Sequence, residues 1–188
     1  MLKELPLVDT LIINLLLGVL WHYATFFVCI FRSKKAFSPD KRMFRARRWE
    51  NNGRIYNDLL KINRWKDHLP QHIGKNGFSK NHLDGVSPDY LDEFILETCR
   101  GEWNHRANCW FAAVLFVLNP IGLALLLAFL LLLGNVPFAV IQRYNRFRLQ
   151  KLKQTLLRKS ERETHKIKKP ASITGECTDT EADTQKQL

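Results

Sequence analysis

One run of polar residues carries side chains that could move a proton. Residues 97–106 read ETCRGEWNHR, and on an α-helix Glu97, Gly101 and His105 lie four residues apart on one face. Glu102 precedes His105 by three residues. Glycine has no side chain, so a notch is expected between the carboxylate and the imidazole. A histidine oriented by a carboxylate can deprotonate a hydroxyl group, so the run predicts His105 as a general base with Glu102 or Glu97 as its partner.

The run continues as a polar stripe into an apolar segment, through Arg100, Asn104 and Asn108. Polar groups that enter a bilayer usually face a protein interior or a wet cavity. Arg100 is therefore included among the predicted substrate-binding residues. The alternative is that Glu102 and Arg106 form an ordinary ion pair one turn apart, and that the histidine is an interfacial side chain.

A second polar group, at residues 142–146 (QRYNR), follows the second apolar segment. Just before it, an asparagine places an amide in an apolar helix, and Pro137 removes a helix hydrogen bond, so a kink is expected. Guanidinium groups bind phosphate through paired hydrogen bonds and could hold an anionic or thioester-linked donor. The alternative is an aromatic and basic anchor at the membrane interface. The predicted substrate-binding residues here are Asn135, Gln142, Arg143, Tyr144, Asn145 and Arg146.

A third candidate places Trp65 and Lys66 beside an amphipathic pattern. This combination suits docking at lipid headgroups, so both are predicted to contact substrate. The spacing of His68, His72 and His82 matches no standard metal site, and we predict no metal. The four cysteines include no C-x-x-C pair and are interpreted as small reduced hydrophobic residues.

Long apolar segments must position these residues. Residues 11–31 and 107–141 contain no Asp, Glu, Lys or Arg, and about 20 apolar residues suffice to cross the hydrocarbon core. Asn119-Pro120 divides the second stretch, because proline disfavours helix at the residue before it. The sequence therefore predicts an all-α membrane protein with an N-terminal helix, a helical hairpin and amphipathic cytoplasmic helices. Its three membrane segments are expected at about 11–31, 103–118 and 121–142, the middle one being short enough to be re-entrant instead.

Positive charge predicts the orientation. The formal net charge is +11, with eight basic residues in 32–48 and eleven in 143–169, each block directly after an apolar run. Such blocks stay in the cytoplasm, which predicts a multi-pass cell-membrane protein with residues 32–102 and the carboxyl terminus inside. Beside membrane segments this charge favours anionic lipid over nucleic acid as its partner. A cleaved signal peptide stays an alternative for the first run.

The other predicted elements complete a single domain over residues 1–165. Residues 54–66 show amphipathic helical spacing. After a loop at 71–88, Ser87 and Pro88 suit the N-cap and first position of another helix. Residues 166–188 lack periodicity and are predicted to be a disordered polar tail.

Three motifs together resemble a known family. They are R-W-K-x-x-L at 64–69, E-T-x-R-x-E-x-x-H at 97–105 and N-V-P-x-x-x-x-Q-R-Y-N-R-x-R-L at 135–149. In this order they resemble the glycosyl-4,4'-diaponeurosporenoate acyltransferases of staphyloxanthin-type carotenoid biosynthesis, over about residues 44–162. The resemblance implies transfer of a fatty acyl group to a glucose hydroxyl of a glycosylated C30 apocarotenoid. It implies acyl-CoA or an acyl carrier protein as the donor and no other cofactor. Arg106 departs from the tryptophan that the family often has there, which bears on the fit of the acceptor.

The hypothesis from these residues is that His105 takes the proton of the sugar hydroxyl. Arg143, Asn145 and Arg146 would hold the donor or stabilise the oxyanion. Two other classes stay open. One is a non-catalytic membrane scaffold whose polar stripes hold helices together, and the other is a lipid-handling or transport protein of a glycolipid or terpenoid pathway.

Overall fold

The computed structural model describes residues 4–69 and 87–168. The predicted loop at 71–88 and the predicted tail at 166–188 lie largely outside these residues, although the last helix extends to Lys168. The described helices are α1 (Leu7–Phe31), α2 (Arg54–Asp58), α3 (Ile62–Trp65), α4 (Pro88–Cys109), α5 (Phe111–Leu118) and α6 (Ile121–Lys168), with 3₁₀ turns at Lys34–Phe37, Arg48–Gly53 and Lys66–His68. This part of the chain is helical and contains no strand.

Helices α4 to α6 form a long hairpin that turns at the predicted place. Asn119 has an extended backbone conformation, with φ −110° and ψ 160°, and the preceding helix ends at Leu118. This is the conformation that a following proline imposes. The start of α4 is also as predicted, because Ser87 Oγ accepts a hydrogen bond from the backbone N–H of Tyr90 at 3.2 Å, with Pro88 as the first helical residue.

Two of the described helices, α1 and α6, are long and apolar enough to cross a membrane. Their outward faces carry exposed leucine, valine and phenylalanine side chains, among them Leu16, Leu20, Leu126, Phe129 and Leu133. A surface of this kind indicates contact with lipid, since soluble proteins rarely expose such large apolar patches. The architecture is therefore consistent with a membrane protein.

The middle predicted segment, 103–118, is not one continuous helix. A turn at Trp110 separates α4 from α5, and α5 has only eight residues. At 1.5 Å per residue α5 is about 12 Å long, well short of the roughly 30 Å hydrocarbon core. The described residues thus contain two candidate spans rather than three, and the hairpin's first arm is broken.

Polar pairs join α1 to the hairpin. The side-chain amides of Asn14 and Asn119 donate to each other's oxygen at 2.8 and 2.9 Å, and both residues are buried. About three helical turns further along α1, Thr25 Oγ1 donates to Asn108 Oδ1 at 2.8 Å, and the Asn108 amide lies 3.1 Å from His22 Nδ1. An unpaired amide costs several kcal/mol in hydrocarbon, so these pairs fix the register of α1 against an antiparallel α4–α5.

The single amphipathic helix predicted at 54–66 is broken into α2 and α3. Lys61 lies between them with φ 49°, in the left-handed region. The resulting change of direction allows Tyr56 and Ile62 to pack in one cluster with Ile141 and Tyr144 of α6. The apolar spacing of residues 54–66 predicted one helix, but packing against α6 favours two short helices instead.

Gly53 provides a direct test of this packing. Its φ is 83°, and a Cβ built there would lie 2.9 Å from Cβ and Cγ of Phe147 on α6. We expect Gly53→Ala to lower the free energy of unfolding by about 2 kcal/mol, through the left-handed conformation and the overlap. Thermal unfolding in detergent measures this. Gly122→Ala is the matched control, because a Cβ there meets nothing within 4 Å; equal melting temperatures for both variants would contradict the packing.

Candidate active site

A buried ionic cluster joins the carboxyl-terminal half of α4 to the middle of α6. Glu102 of α4 is 2% exposed. Its carboxylate accepts from Arg143 Nη1 at 3.0 Å, Arg146 Nη2 at 2.6 Å and Arg106 Nη1 at 3.2 Å. A buried carboxylate that lost these partners would be strongly destabilising, so the cluster ties the two helices at this level.

The second carboxylate of the cluster, Glu50, lies outside the three sequence motifs. It is 0% exposed and belongs to the 3₁₀ turn before α2. It accepts from Arg143 Nε, from Arg143 Nη2 at 2.8 Å, from the Tyr56 hydroxyl at 2.5 Å and from the Arg47 backbone N–H at 2.6 Å. The sequence marks the turn that carries Glu50, because Asn51-Asn52-Gly53 directly follows it. Asparagine and glycine tolerate positive φ, and all three residues adopt it here, which makes a tight turn.

Arg143 has no N–H group left for a substrate. Besides the two carboxylates, it donates to the backbone carbonyls of Met43 at 3.3 Å and Arg45 at 3.0 Å. These contacts use all five guanidinium donors. The predicted role of Arg143 in holding an anionic donor is therefore corrected: in this structure it fastens the segment before α2 to the hairpin.

Arg146 is held in a similar way. It is 2% exposed, its Nη1 donates to Cys99 Sγ at 3.4 Å, and its guanidinium lies 5.5 Å from the ring centre of Phe44. Together with the bond to Glu102, these contacts place it inside the protein. Arg146 is thus a packing partner here rather than a surface clamp for phosphate.

The ionic cluster predicts how stability depends on pH. Burial alone raises the pKa of Glu50, but the hydrogen bonds from Arg143, Tyr56 and the backbone outweigh it, so the pKa ends below the ordinary 4.5. A carboxyl with a lowered pKa in the folded state contributes stability that is fully present above its unfolded pKa. We expect the melting temperature to fall as the pH drops below about 4.5, and Glu50→Gln to flatten that dependence in a thermal scan across pH 3–6. An unchanged slope in the variant would exclude Glu50 as the group responsible.

The predicted base, His105, meets a partner from the other arm of the hairpin. Its Nδ1 lies 3.2 Å from Asn135 Oδ1, and its ring stacks on Phe138 with 5.2 Å between centroids. The Asn135 amide is itself oriented, because its Nδ2 donates to the carbonyl of Leu131 at 2.9 Å. The oxygen that faces the imidazole can only accept, so Nδ1 carries the proton in the neutral ring and Nε2 carries the lone pair. This is the tautomer that a general base requires.

Neither predicted carboxylate orients His105. Glu97 instead accepts from Arg100 at 2.7 Å on an exposed surface, and Glu102 faces the arginines. Nor is the expected notch empty. A Cβ at Gly101 would lie 2.9 Å from Cδ of Gln142, whose side chain occupies that space. Across the hairpin, the structure thus brings His105 to Asn135 and Gln142 to Gly101.

The residues predicted to dock at headgroups contribute to packing. Trp65 Nε1 donates to the Leu60 carbonyl at 2.8 Å, and the Lys66 ammonium lies 5.9 Å from the ring centre of Tyr144. The Tyr144 hydroxyl donates to Asn63 Oδ1 at 2.9 Å. Of the predicted binding residues nearby, Asn145 is half-buried. These side chains hold α3 against α6.

Metal binding has no support from the described parts of the chain, where no three His, Cys, Asp or Glu side chains are placed to hold an ion. Two of the histidines considered in the sequence, His72 and His82, lie outside those parts.

A groove of about 580 Å³ runs beside the ionic cluster. Its polar end contains Arg47, Glu102, Arg106 and Arg143. Its walls are apolar and come from α2, α4 and α6; they include Ile55, Leu59, Trp110, Val136 and Val140. His105 lies on the same turn of α4 as Arg106 but points at α6 and does not line the groove.

Comparison with known proteins gives one consistent result. Residues 40–155 match the family described as glycosyl-4,4'-diaponeurosporenoate acyltransferase. The protein of that name from Staphylococcus aureus strain Newman is 29% identical over 130 residues, which cover 68% of this chain and 78% of the relative. Those from strains bovine RF122 / ET3-1 and USA300 are 28% identical over the same shares. No solved structure matches significantly.

The matched region bears on the sequence motifs directly. It covers more than half of the chain and contains 64–69, 97–105 and 135–149 in full. The resemblance drawn from those motifs is therefore confirmed, and the chain belongs to the glycosyl-4,4'-diaponeurosporenoate acyltransferase family of enzymes.

Proposed function

We propose that this protein esterifies a glucose hydroxyl of a glycosylated C30 apocarotenoid with a fatty acyl group, as the last step of a staphyloxanthin-type pathway. The acyl group comes from a thioester donor. The observation that carries the proposal is the His105–Asn135 pair, because it joins two of the motifs that carry the family resemblance and leaves a histidine nitrogen able to accept a proton.

The proposed reaction is a single acyl transfer. His105 Nε2 takes the hydroxyl proton as the sugar oxygen attacks the thioester carbonyl carbon, which forms a tetrahedral intermediate. As the intermediate collapses, the carbon–sulfur bond breaks and the imidazolium returns the proton to the leaving thiolate. The products are a sugar ester and a free thiol. Asn135 holds the neutral ring in the required tautomer and accepts from Nδ1–H when the ring is charged, the role that the histidine's partner has in catalytic triads.

The group that stabilises the oxyanion differs from the one predicted from sequence. Because the donors of Arg143 are occupied, we assign this role to Arg106, the neighbour of His105 in the chain. Its side chain is 43% exposed and has one described hydrogen bond, to Glu102. Glu102 thus positions Arg106 rather than His105, and four guanidinium N–H groups remain for the developing negative charge.

The proposed setting is the cytoplasmic face of the cell membrane, with more than one span. From Glu102 to Asn119 the first arm of the hairpin covers 17 residues across the turn at Trp110, and two helices in line would extend about 26 Å, which approaches the thickness of the hydrocarbon core. The basic blocks at 32–48 and 143–169 then lie at one face, which the positive-inside rule assigns to the cytoplasm. Reporter fusions at positions 60 and 165 should both report cytoplasm; an external signal at either position would contradict this topology.

The activity is tested with the full-length protein in lipid nanodiscs. It is incubated with the glucosylated apocarotenoid and a fatty acyl thioester, and the products are identified by mass spectrometry. The expected product carries one additional acyl ester on the sugar, in equal amount to the thiol released. A scaffold or lipid-handling protein would bind the pigment without releasing thiol, and that outcome would overturn the proposal.

A further inference from the structure

The groove beside the ionic cluster has one charged and one apolar end. At the charged end Arg47 and Arg106 border the opening, and at the apolar end the walls reach Trp110, whose side chain is 73% exposed. From Glu102 to Trp110 the groove follows eight residues of α4, or about 12 Å. Such a shape suits an elongated molecule with a negative head and a single apolar chain that continues into lipid.

A second cavity adjoins the first at Arg47. It measures about 350 Å³ and is lined by Arg42, Arg45, Ala46 and Arg47. All three arginine side chains are exposed, and the described residues supply none of them with a side-chain hydrogen bond or ion pair. The cradle therefore gathers three exposed arginine side chains around one small cavity, and no carboxylate of the described residues pairs with them, so an anion is the ligand that it favours.

We infer that these two cavities form the donor site, and that the donor is an acyl thioester of a multiply phosphorylated nucleotide of the coenzyme A class. The inference rests on the proposed acyl transfer. The phosphates lie on Arg42, Arg45 and Arg47, and the acyl chain lies between α2, α4 and α6. The thioester is then placed at the polar end beside Arg106.

The charge distribution favours this donor over the two other anionic candidates. A carrier protein presents its thioester on a single phosphate and binds through a broad acidic face, whereas the cradle gathers three arginines around one small cavity. An anionic lipid usually carries two chains, whereas the groove follows a single row of residues on α4 and shares Arg47 with the cradle. Three clustered guanidiniums match the several phosphates of a nucleotide carrier.

The test measures equilibrium binding of a non-hydrolysable thioether analogue of palmitoyl-CoA to the protein in neutral-lipid nanodiscs. Arg42→Ala with Arg45→Ala is expected to weaken binding at least tenfold and to leave the affinity for palmitate unchanged. Truncating these exposed side chains does not disturb the carbonyl of Arg45 that holds Arg143. Arg158→Ala with Lys159→Ala, on the exposed end of α6, removes the same charge elsewhere and should bind like the wild type.

Two further measurements separate the outcomes. His105→Ala should bind the analogue normally while losing turnover, so a failed reaction and a failed donor site are distinguishable. With the wild type, affinity should rise from acetyl to dodecanoyl analogues, and Val140→Trp should remove that rise. If the cradle variant binds the analogue as the wild type does, or if a holo acyl carrier protein binds through the same arginines with greater affinity, the assignment is wrong. The assignment is also wrong if the cradle variant loses binding to anionic vesicles but keeps its affinity for the analogue.

Discussion

His105→Ala should lower kcat by at least a hundredfold with little change in the amount of folded protein. General base catalysis commonly contributes between about 10² and 10⁴ in rate. The imidazole is half-buried and bonded to Asn135, yet its Nε2 has no partner among the described residues. The alanine variant therefore removes the proton acceptor without breaking the ionic cluster. The measurement is single-turnover acyl transfer, followed by mass spectrometry of the sugar ester.

The controls for this variant separate catalysis from folding. His165→Ala removes an exposed imidazole from the far end of α6 and should leave the rate unchanged. Asn135→Ala should slow transfer and shift the pH profile, because the tautomer is no longer fixed, whereas an added small imidazole should partly restore His105→Ala. Wild-type turnover by His105→Ala at equal protein level would eliminate the proposed mechanism.

Glu102→Ala is the second change with a large expected effect, in this case on stability. The variant leaves Arg146 without its carboxylate partner and Arg143 with only one, in a site where both arginines are buried. Removing one partner of a buried ion pair typically costs about 3–5 kcal/mol. For a chain of this size we expect the melting temperature in detergent to fall by roughly 10 °C.

Glu97→Ala provides the matched comparison. This carboxylate is on the same helix, pairs with Arg100 and is 59% exposed, and exposed pairs contribute less than about 1 kcal/mol. Glu102→Gln preserves the shape of the side chain and two hydrogen-bonding groups, so its melting temperature should lie between those of the two alanine variants. Equal melting temperatures for the two alanine variants would mean that the cluster does not join the helices.

Local features of the chain could be predicted from sequence because each depends on neighbouring residues. Ser87 and Pro88 mark a helix start through their own geometry, and Asn119-Pro120 marks a turn for the same reason. The apolar runs likewise predict two long helices by length and composition alone. The break at Trp110 was not predicted, since no proline or glycine marks it.

The candidate site was only half predictable, because its contacts cross between helices. Spacing along α4 suggested that a carboxylate orients His105, but the partner comes from Asn135, thirty residues away on the returning arm. In the same way, spacing along the sequence does not show that Glu50, from the 3₁₀ turn before α2, pairs with Arg143. One-dimensional spacing reveals which groups could share a helix face, and tertiary packing decides which of them meet.

The paired amides between α1 and the hairpin have a consequence for assembly. Asn14 and Asn119 satisfy each other's hydrogen bonds, and Asn108 is bonded to Thr25 and His22. In hydrocarbon, α1 without the hairpin, or the hairpin without α1, would therefore lack these hydrogen-bond partners. Cutting the chain within 32–36 should therefore yield two fragments that recognise one another when they are expressed together. Recovery of pigment in such a complementation assay, and its loss with Asn14→Leu, would show that insertion is a cooperative event between separate hydrophobic pieces.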